Sequence, residues 1–225
     1  MTFSVVARCP KSGQFGIAIS SSSMAVAARC AFVRAGVGAV ATQNITDPRL
    51  GPRGLDLMAA GRSAVDALAV LQAEHKQIDF RQLVLIDAKG IVARHSGKNT
   101  LGVHASAIGK GVAAAGNLLA NPDVPAAMVA AFEAASAEEL GERLVRAMKA
   151  GLAAGGEAGP VRSAGMVIAE KESWPIADLR VDWTEGDPIA ALDAIWQGWR
   201  GQMRDYVTRA NDPSSAPGFG VPGDP

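Results

Sequence analysis

Strand pairs alternating with helical stretches constrain the fold of this chain more than any other feature, and the first pair begins at residue 2. The run Thr2-Phe3-Ser4-Val5-Val6-Ala7, continued to residue 9, reads as a strand. Pro10-Lys11-Ser12-Gly13 supplies a turn, and Phe15 to Ser20 a second strand. Residues 24 to 34 suit strand and short helix equally, because Met24, Val26 and Ala28 keep neither period. Gly51-Pro52-Arg53-Gly54 leads into a short helix through Leu55, Leu57 and Met58, after which Ser63 and Asp66 form the capping box of another. Residues 81–87 and 90–95 read as a second hairpin turning at Ala88-Lys89. Helices follow from Pro122, with Pro125 tolerated in the first turn, and from Ser136. Residues 163–169 make a strand, 179–183 a polar edge strand, and Asp187-Pro188 opens a last helix reaching about Tyr206. Strands joined by a tight turn pair antiparallel, whereas parallel neighbours need a crossover between them. The order hairpin, helices, hairpin, helices, strand, helix therefore favours an α+β fold with antiparallel sheets covered by helices.

A chain of 225 residues is long enough to bury one substantial core, and residues 1–210 are read as a single domain. The remainder, 211–225, holds four Pro and three Gly and is read as a poorly ordered Pro/Gly-rich tail. With 22 basic and 22 acidic residues the formal charge is zero, and no basic run is present to neutralise phosphates, so no nucleic-acid partner is expected. No uncharged apolar run approaches the roughly 20 residues that span a bilayer, and no leader pattern opens the chain. No membrane partner is expected, and the location is read as cytoplasmic. Cys9 and Cys30 lack CxxC spacing and nearby His, which points to reduced thiols, with neither a metal site nor a cofactor.

Thr2 is the first candidate for chemistry. Were Met1 removed, one residue would carry both a hydroxyl nucleophile and an α-amine of pKa about 8, a usable base near neutrality. Two further segments share an outline: Gly36 to Asn44 and Gly109 to Asn117, each a small-residue strand ending on an amide. Such amides suit a place where substrate approaches the backbone.

These segments, in this order, resemble a bacterial family of unknown function, DUF1028, with the N-terminal-nucleophile (Ntn) hydrolase fold. The resemblance rests on Thr2 to Ala7, Gly36 to Gln43, Gly51-Pro52-Arg53-Gly54, Asp87 to Gly90 with His95-Ser96-Gly97, Gly116-Asn117-Leu118 and Asp178-Leu179-Arg180-Val181-Asp182. It implies a four-layer α/β/β/α sandwich with two antiparallel sheets. It also implies that Thr2 is the nucleophile, exposed by loss of one Met, and that its own amine moves the proton. The Lys, Arg or Asn helper common in the wider superfamily has no counterpart here that aligns, and Ser21, Ser22 and Ser23 stand where a Lys would be sought.

The leading expectation is therefore hydrolysis of a carbon–nitrogen amide bond in a small amide or peptide-like substrate, by Thr2 with Asn117 as oxyanion donor. Gly116, Gln43, Asn44, Ser22 and Arg53 are secondary candidates for the oxyanion or for substrate. Asn117 and Asn44 also suit loop capping, and Arg53 a helix start. The alternative is a non-catalytic small-molecule binding or oligomeric assembly protein that keeps the fold, with the last helix and its Trp196 and Trp199 serving packing or a homodimer contact. A Ser-His-Asp triad from Ser96, His95 and Asp87 is disfavoured, because neighbours on a strand point to opposite faces.

Overall fold

The computed structural model describes residues 1–221 and residue 223. Part of the tail thus lies outside the described residues: Pro222, Asp224 and Pro225. Two antiparallel sheets form the body. The larger runs β10 (Ala177–Val181), β9 (Ser163–Ala169), β2 (Phe15–Ser21), β1 (Thr2–Arg8), β8 (Val112–Asn117) and β7 (Ala105–Gly109), so the first strand of the chain sits inside it. The smaller runs β3 (Ala31–Arg34), β4 (Gly38–Asn44), β5 (Arg81–Asp87) and β6 (Val92–Ser96).

Alternation along the strands decides what each face meets. Phe3, Val5 and Ala7 of β1 point outward to an apolar cluster shared with helices α4 (Val124–Ala134), α5 (Leu140–Ala153) and α6 (Pro188–Arg200). Val6, Ile17, Ala113 and Ala115 point inward against Ala39, Ala41, Val84 and Ile86 of the smaller sheet. The two sheets therefore face each other across small side chains. On the outer face of the smaller sheet, Val40, Leu83 and Leu85 meet Leu55 and Met58 of α2 (Leu50–Ala59) and Leu68 and Leu71 of α3 (Ala64–Glu74). Helices thus cover both outer faces.

The ambiguous stretch 24–34 contains both elements: a five-residue helix, α1 (Val26–Cys30), and strand β3. Helix α2 starts earlier than its pattern suggested, at Leu50, with Gly51 and Pro52 inside its first turn, where a proline removes no helical hydrogen bond. Gly51 is required there, since a Cβ would lie 2.0 Å from the Phe32 ring. Ser63 caps α3 as expected, its Oγ accepting the Asp66 N–H at 3.1 Å. Ser136 caps nothing: α5 begins after Glu139, four residues later. Residues 109–117 are not one strand, because Lys110-Gly111 turns between β7 and β8. The last helix is two, α6 and α7 (Met203–Asn211), separated at Gly201 and Gln202. Trp196 is buried core, its ring filling the space left by the missing side chain of Gly141. Among the described residues no helix is long and apolar enough to cross a membrane.

Candidate functional site

The inward face of the larger sheet changes character at one end. Apolar along most of its length, it ends on Ser4 and Thr2 of β1, Ser21 of β2 and Asn117 of β8, opposite Gln43, Gln82 and Ser96 of the smaller sheet. Thr2 and Asn117 are register partners in adjacent strands, as are Phe3 and Gly116. The sheet thus places the two leading candidates side by side.

The amides form one buried chain. Ser4 Oγ donates to Gln43 Oε1 (2.7 Å), and Gln43 Nε2 donates to Gln82 Oε1 (2.8 Å) and to the Ala115 carbonyl (3.2 Å). Gln82 Nε2 donates to the Gly116 carbonyl and to Ser96 Oγ, both at 3.0 Å, while Asn117 Nδ2 donates to Gln82 Oε1 (3.1 Å). Gln82 is the hub, fully buried, and it joins the two sheets. Within this network of amides and hydroxyls, Asn117 Oδ1 is buried without a partner among the described residues.

Thr2 is 5% exposed, and Met1 lies above it. Its nitrogen is in the Met1–Thr2 peptide bond, and its Oγ1 donates to the Met1 carbonyl, which also accepts the Ser21 hydroxyl. Ser21 Oγ stands 3.4 Å from Thr2 Oγ1 and 2.7 Å from Ser23 Oγ, and the Arg29 guanidinium donates to Ser23 Oγ and to the Met24 carbonyl. A cation is therefore linked to the Thr2 hydroxyl through two serines. The Met1 side chain packs on the loop beyond, where a Cβ at Gly159 would lie 3.4 Å from its methyl.

The acidic member is Glu157, in the loop after α5 and 5% exposed. Its two carboxylate oxygens share the Ser22 backbone N–H at 3.2 and 3.1 Å. Burial pushes its carboxyl up to about 7, against the opposing pull of the N-terminal ammonium and the hydrogen bonds from Ser22. Burial so dominates that the group titrates near neutrality beside the chain's N-terminus. Neither Glu157, Gln82 nor Arg29 figures among the residues expected from sequence; Glu157 is a single acid in a Gly-rich loop, with no local pattern around it.

The other expected residues fall as follows. Gly116 turns its missing side chain to the outer layer, where Leu119 fills the space, and offers its carbonyl to Gln82. Asn44 has φ 77°, and its side chain bridges the Phe80 carbonyl (2.6 Å) and the Leu101 N–H (3.2 Å). Ser22 meets Glu157 through its backbone. Arg53 lies on the outer surface of α2, ion-paired with Glu74 at 2.8 Å. His95 and Ser96 do face opposite ways: Ser96 joins Gln82, whereas His95 meets Gln72 and the Ile78 carbonyl on the helix-covered side.

A family model described as a family of unknown function, DUF1028, matches residues 2–192. The crystal structure of protein SPO2555 from Silicibacter pomeroyi, described under the same family model, is similar with a TM-score of 0.84 and 28% identity, covering 91% of this chain and 89% of that one. The ancestral beta-subunit Anbu from Yersinia bercovieri aligns with a TM-score of 0.37 and 12% identity over 92% of this chain and 97% of that one. Comparison with curated proteins yields no match.

Proposed function

The chain belongs to the DUF1028 family, and from that premise we propose that it keeps the Ntn-hydrolase four-layer sandwich as a non-catalytic small-molecule binding protein for as long as Met1 is attached. One observation carries this reading: the Thr2 nitrogen is an amide, and the Thr2 hydroxyl is turned onto the Met1 carbonyl. An amide nitrogen is no base, so the Met1-bearing chain lacks the group that would take the hydroxyl proton. Of the amides below, Gln43 Nε2 spends both its N–H groups within the chain, whereas Asn117 Nδ2 spends one, on Gln82. The assignment to the Ntn fold is supported by the inner first strand, by the face-to-face antiparallel sheets and by helices on both outer faces.

A second reading is favoured by the register that sets Thr2 beside Asn117. In a chain that has lost Met1, the α-amine would belong to Thr2 and the hydroxyl would lose its acceptor. Attack on a small amide would then give a tetrahedral oxyanion, with Asn117 or the Gly116 or Asn117 backbone N–H as donor. Release of the amine would leave an acyl-Thr ester for water to hydrolyse. Of the secondary candidates only Ser22, beside Glu157, stays a candidate for holding the substrate; Arg53 is on the outer helical face, and the Gln43 and Asn44 side chains are committed within the fold. The location remains read as cytoplasmic.

The test is a panel of small amides and N-acyl amino acids, followed by calorimetry and by product release, on chains whose N-terminus is fixed by intact mass. Binding without turnover by the Met1-bearing chain supports the first reading. Turnover by that same chain overturns it.

A further inference from the structure

The opposite end of β1 carries a different feature. Strand β1 ends at Arg8, about 20 Å from Thr2 for a strand of this length. Two adjoining cavities of about 310 and 370 Å³ open there and share Cys9, Lys11, Ala137 and Glu138. The smaller is also lined by Lys110 and Arg143, so three cations border it against one carboxylate, while Arg8 turns its guanidinium to the inward face with its register partner Phe15. That carboxylate, Glu138, is already paired with Arg146 at 2.7 Å.

Arg143 is the unusual member. It is 7% exposed, yet no carboxylate among the described residues forms an ion pair with it. Its Nε donates to the Phe132 carbonyl (3.2 Å), and its guanidinium carbon stands 3.7 Å from the centre of the Phe132 ring. Those contacts hold the side chain in place, and among the described residues no acceptor meets its two terminal nitrogens. Glu133 is near enough to act on the Arg143 charge, but its Oε1 accepts the Lys110 backbone N–H at 2.7 Å. The guanidinium stays charged, and an anion entering the cavity would pair with it.

We infer that this cavity is a binding site for a small molecule bearing a carboxylate or phosphate group, with the Arg143 fork as anchor and Lys11 and Lys110 as outer cations. A guanidinium offers two parallel N–H donors that match either oxyanion. The walls supplied by Cys9, Pro10 and Ala137 accommodate a short uncharged remainder. The inference is independent of Thr2, because the site shares no residue with the other end of the strand.

Cys9 reports occupancy directly. Burial raises its thiol, but hydrogen bonds from Ser12, the Lys11 backbone and the Arg143 charge outweigh that and hold it below its ordinary value. It is half-buried at the cavity wall, while the other free thiol, Cys30, is 1% exposed and serves as an internal reference. The experiment follows iodoacetamide labelling of Cys9 in the full chain, with inorganic phosphate or succinate against sodium chloride of matched ionic strength and pH. Near saturation, phosphate, succinate or both should slow labelling about tenfold relative to chloride; the more effective of the two identifies the headgroup. Arg143→Met should abolish this protection. Because that change touches a buried side chain, the Lys11→Gln/Lys110→Gln double variant, altered only at exposed positions, provides a folded control and should weaken protection severalfold. Equal labelling in phosphate, succinate and chloride would overturn the inference, as would protection that survives unchanged in both variants.

Discussion

At one end of β1 polar side chains fold inward and bond to one another across two sheets; at the other, Arg143 borders an open cavity with no ion-pair partner among the described residues. Both ends belong to one strand and share one apolar interior. They differ in how polar groups are satisfied. Near Thr2 nearly every donor and acceptor is engaged inside the protein, with the Thr2 and Ser21 hydroxyls donating to the Met1 carbonyl. Near Arg8 the satisfaction is incomplete, and an added anion would finish it. Completeness marks a region that holds the sheets together, and a shortfall marks one open to a ligand.

The sharpest way to break this contrast is to remove the hub of the saturated end. Gln82→Leu would leave the Gly116 carbonyl, the Ser96 hydroxyl and the Gln43 and Asn117 amides without their partner. Chemical denaturation should show a loss of about 4 kcal/mol, from several buried groups at roughly 1–3 kcal/mol each. A loss below about 1 kcal/mol would mean that the amide chain does not bind the sheets together.

Next in size is a pH effect. Glu157 titrates near 4.5 when unfolded and about 7 when folded. Between those values the folded state holds the proton more tightly, so stability falls as pH rises through that window and is lowest above it. The fall should approach about 3 kcal/mol. Glu157→Gln should flatten the dependence, and an unchanged slope in urea titrations at several pH values would assign it elsewhere.

A smaller effect is expected at Asn44, whose backbone lies in the left-handed region at φ 77°. Asn44→Ala should cost about 2 kcal/mol and Asn44→Gly less, since glycine relieves the backbone part. Thermal unfolding of the pair separates backbone strain from the two side-chain hydrogen bonds. Smallest of all, the Lys11→Gln/Lys110→Gln variant should change stability by less than about 0.5 kcal/mol while altering anion response. A large loss there would show that the cationic end is structural after all.

Much of the scaffold was legible because its signals are local. Residues 163–169 read as a strand and form β9 with those bounds, and the Ser63 cap follows from its partner three residues on. Strand β7 was missed, since Ala105 to Gly109 is half-buried along its length and shows neither an apolar run nor an alternation. The final helix read as continuous because Gly201 interrupts it without disturbing the apolar period on either side. At the site, Thr2 and Asn117 could be named from strand ends, but their adjacency is a matter of register. Gln82 and Glu157 are invisible for a related reason: Gln82 gains its role from residues 14 to 39 positions away and Glu157 from one 135 away, and nothing in their immediate neighbours announces it.

The most direct measurement concerns Met1. Met1-bearing chain, obtained with methionine aminopeptidase inhibited, and Met1-free chain, both verified by intact mass, would be given the same panel of N-acyl amino acids, alongside a Met1-free Thr2→Ala variant. The account predicts no product from the Met1-bearing chain, and any turnover by the Met1-free chain should vanish in Thr2→Ala. Hydrolysis by the Met1-bearing chain at the rate of the Met1-free one would contradict it.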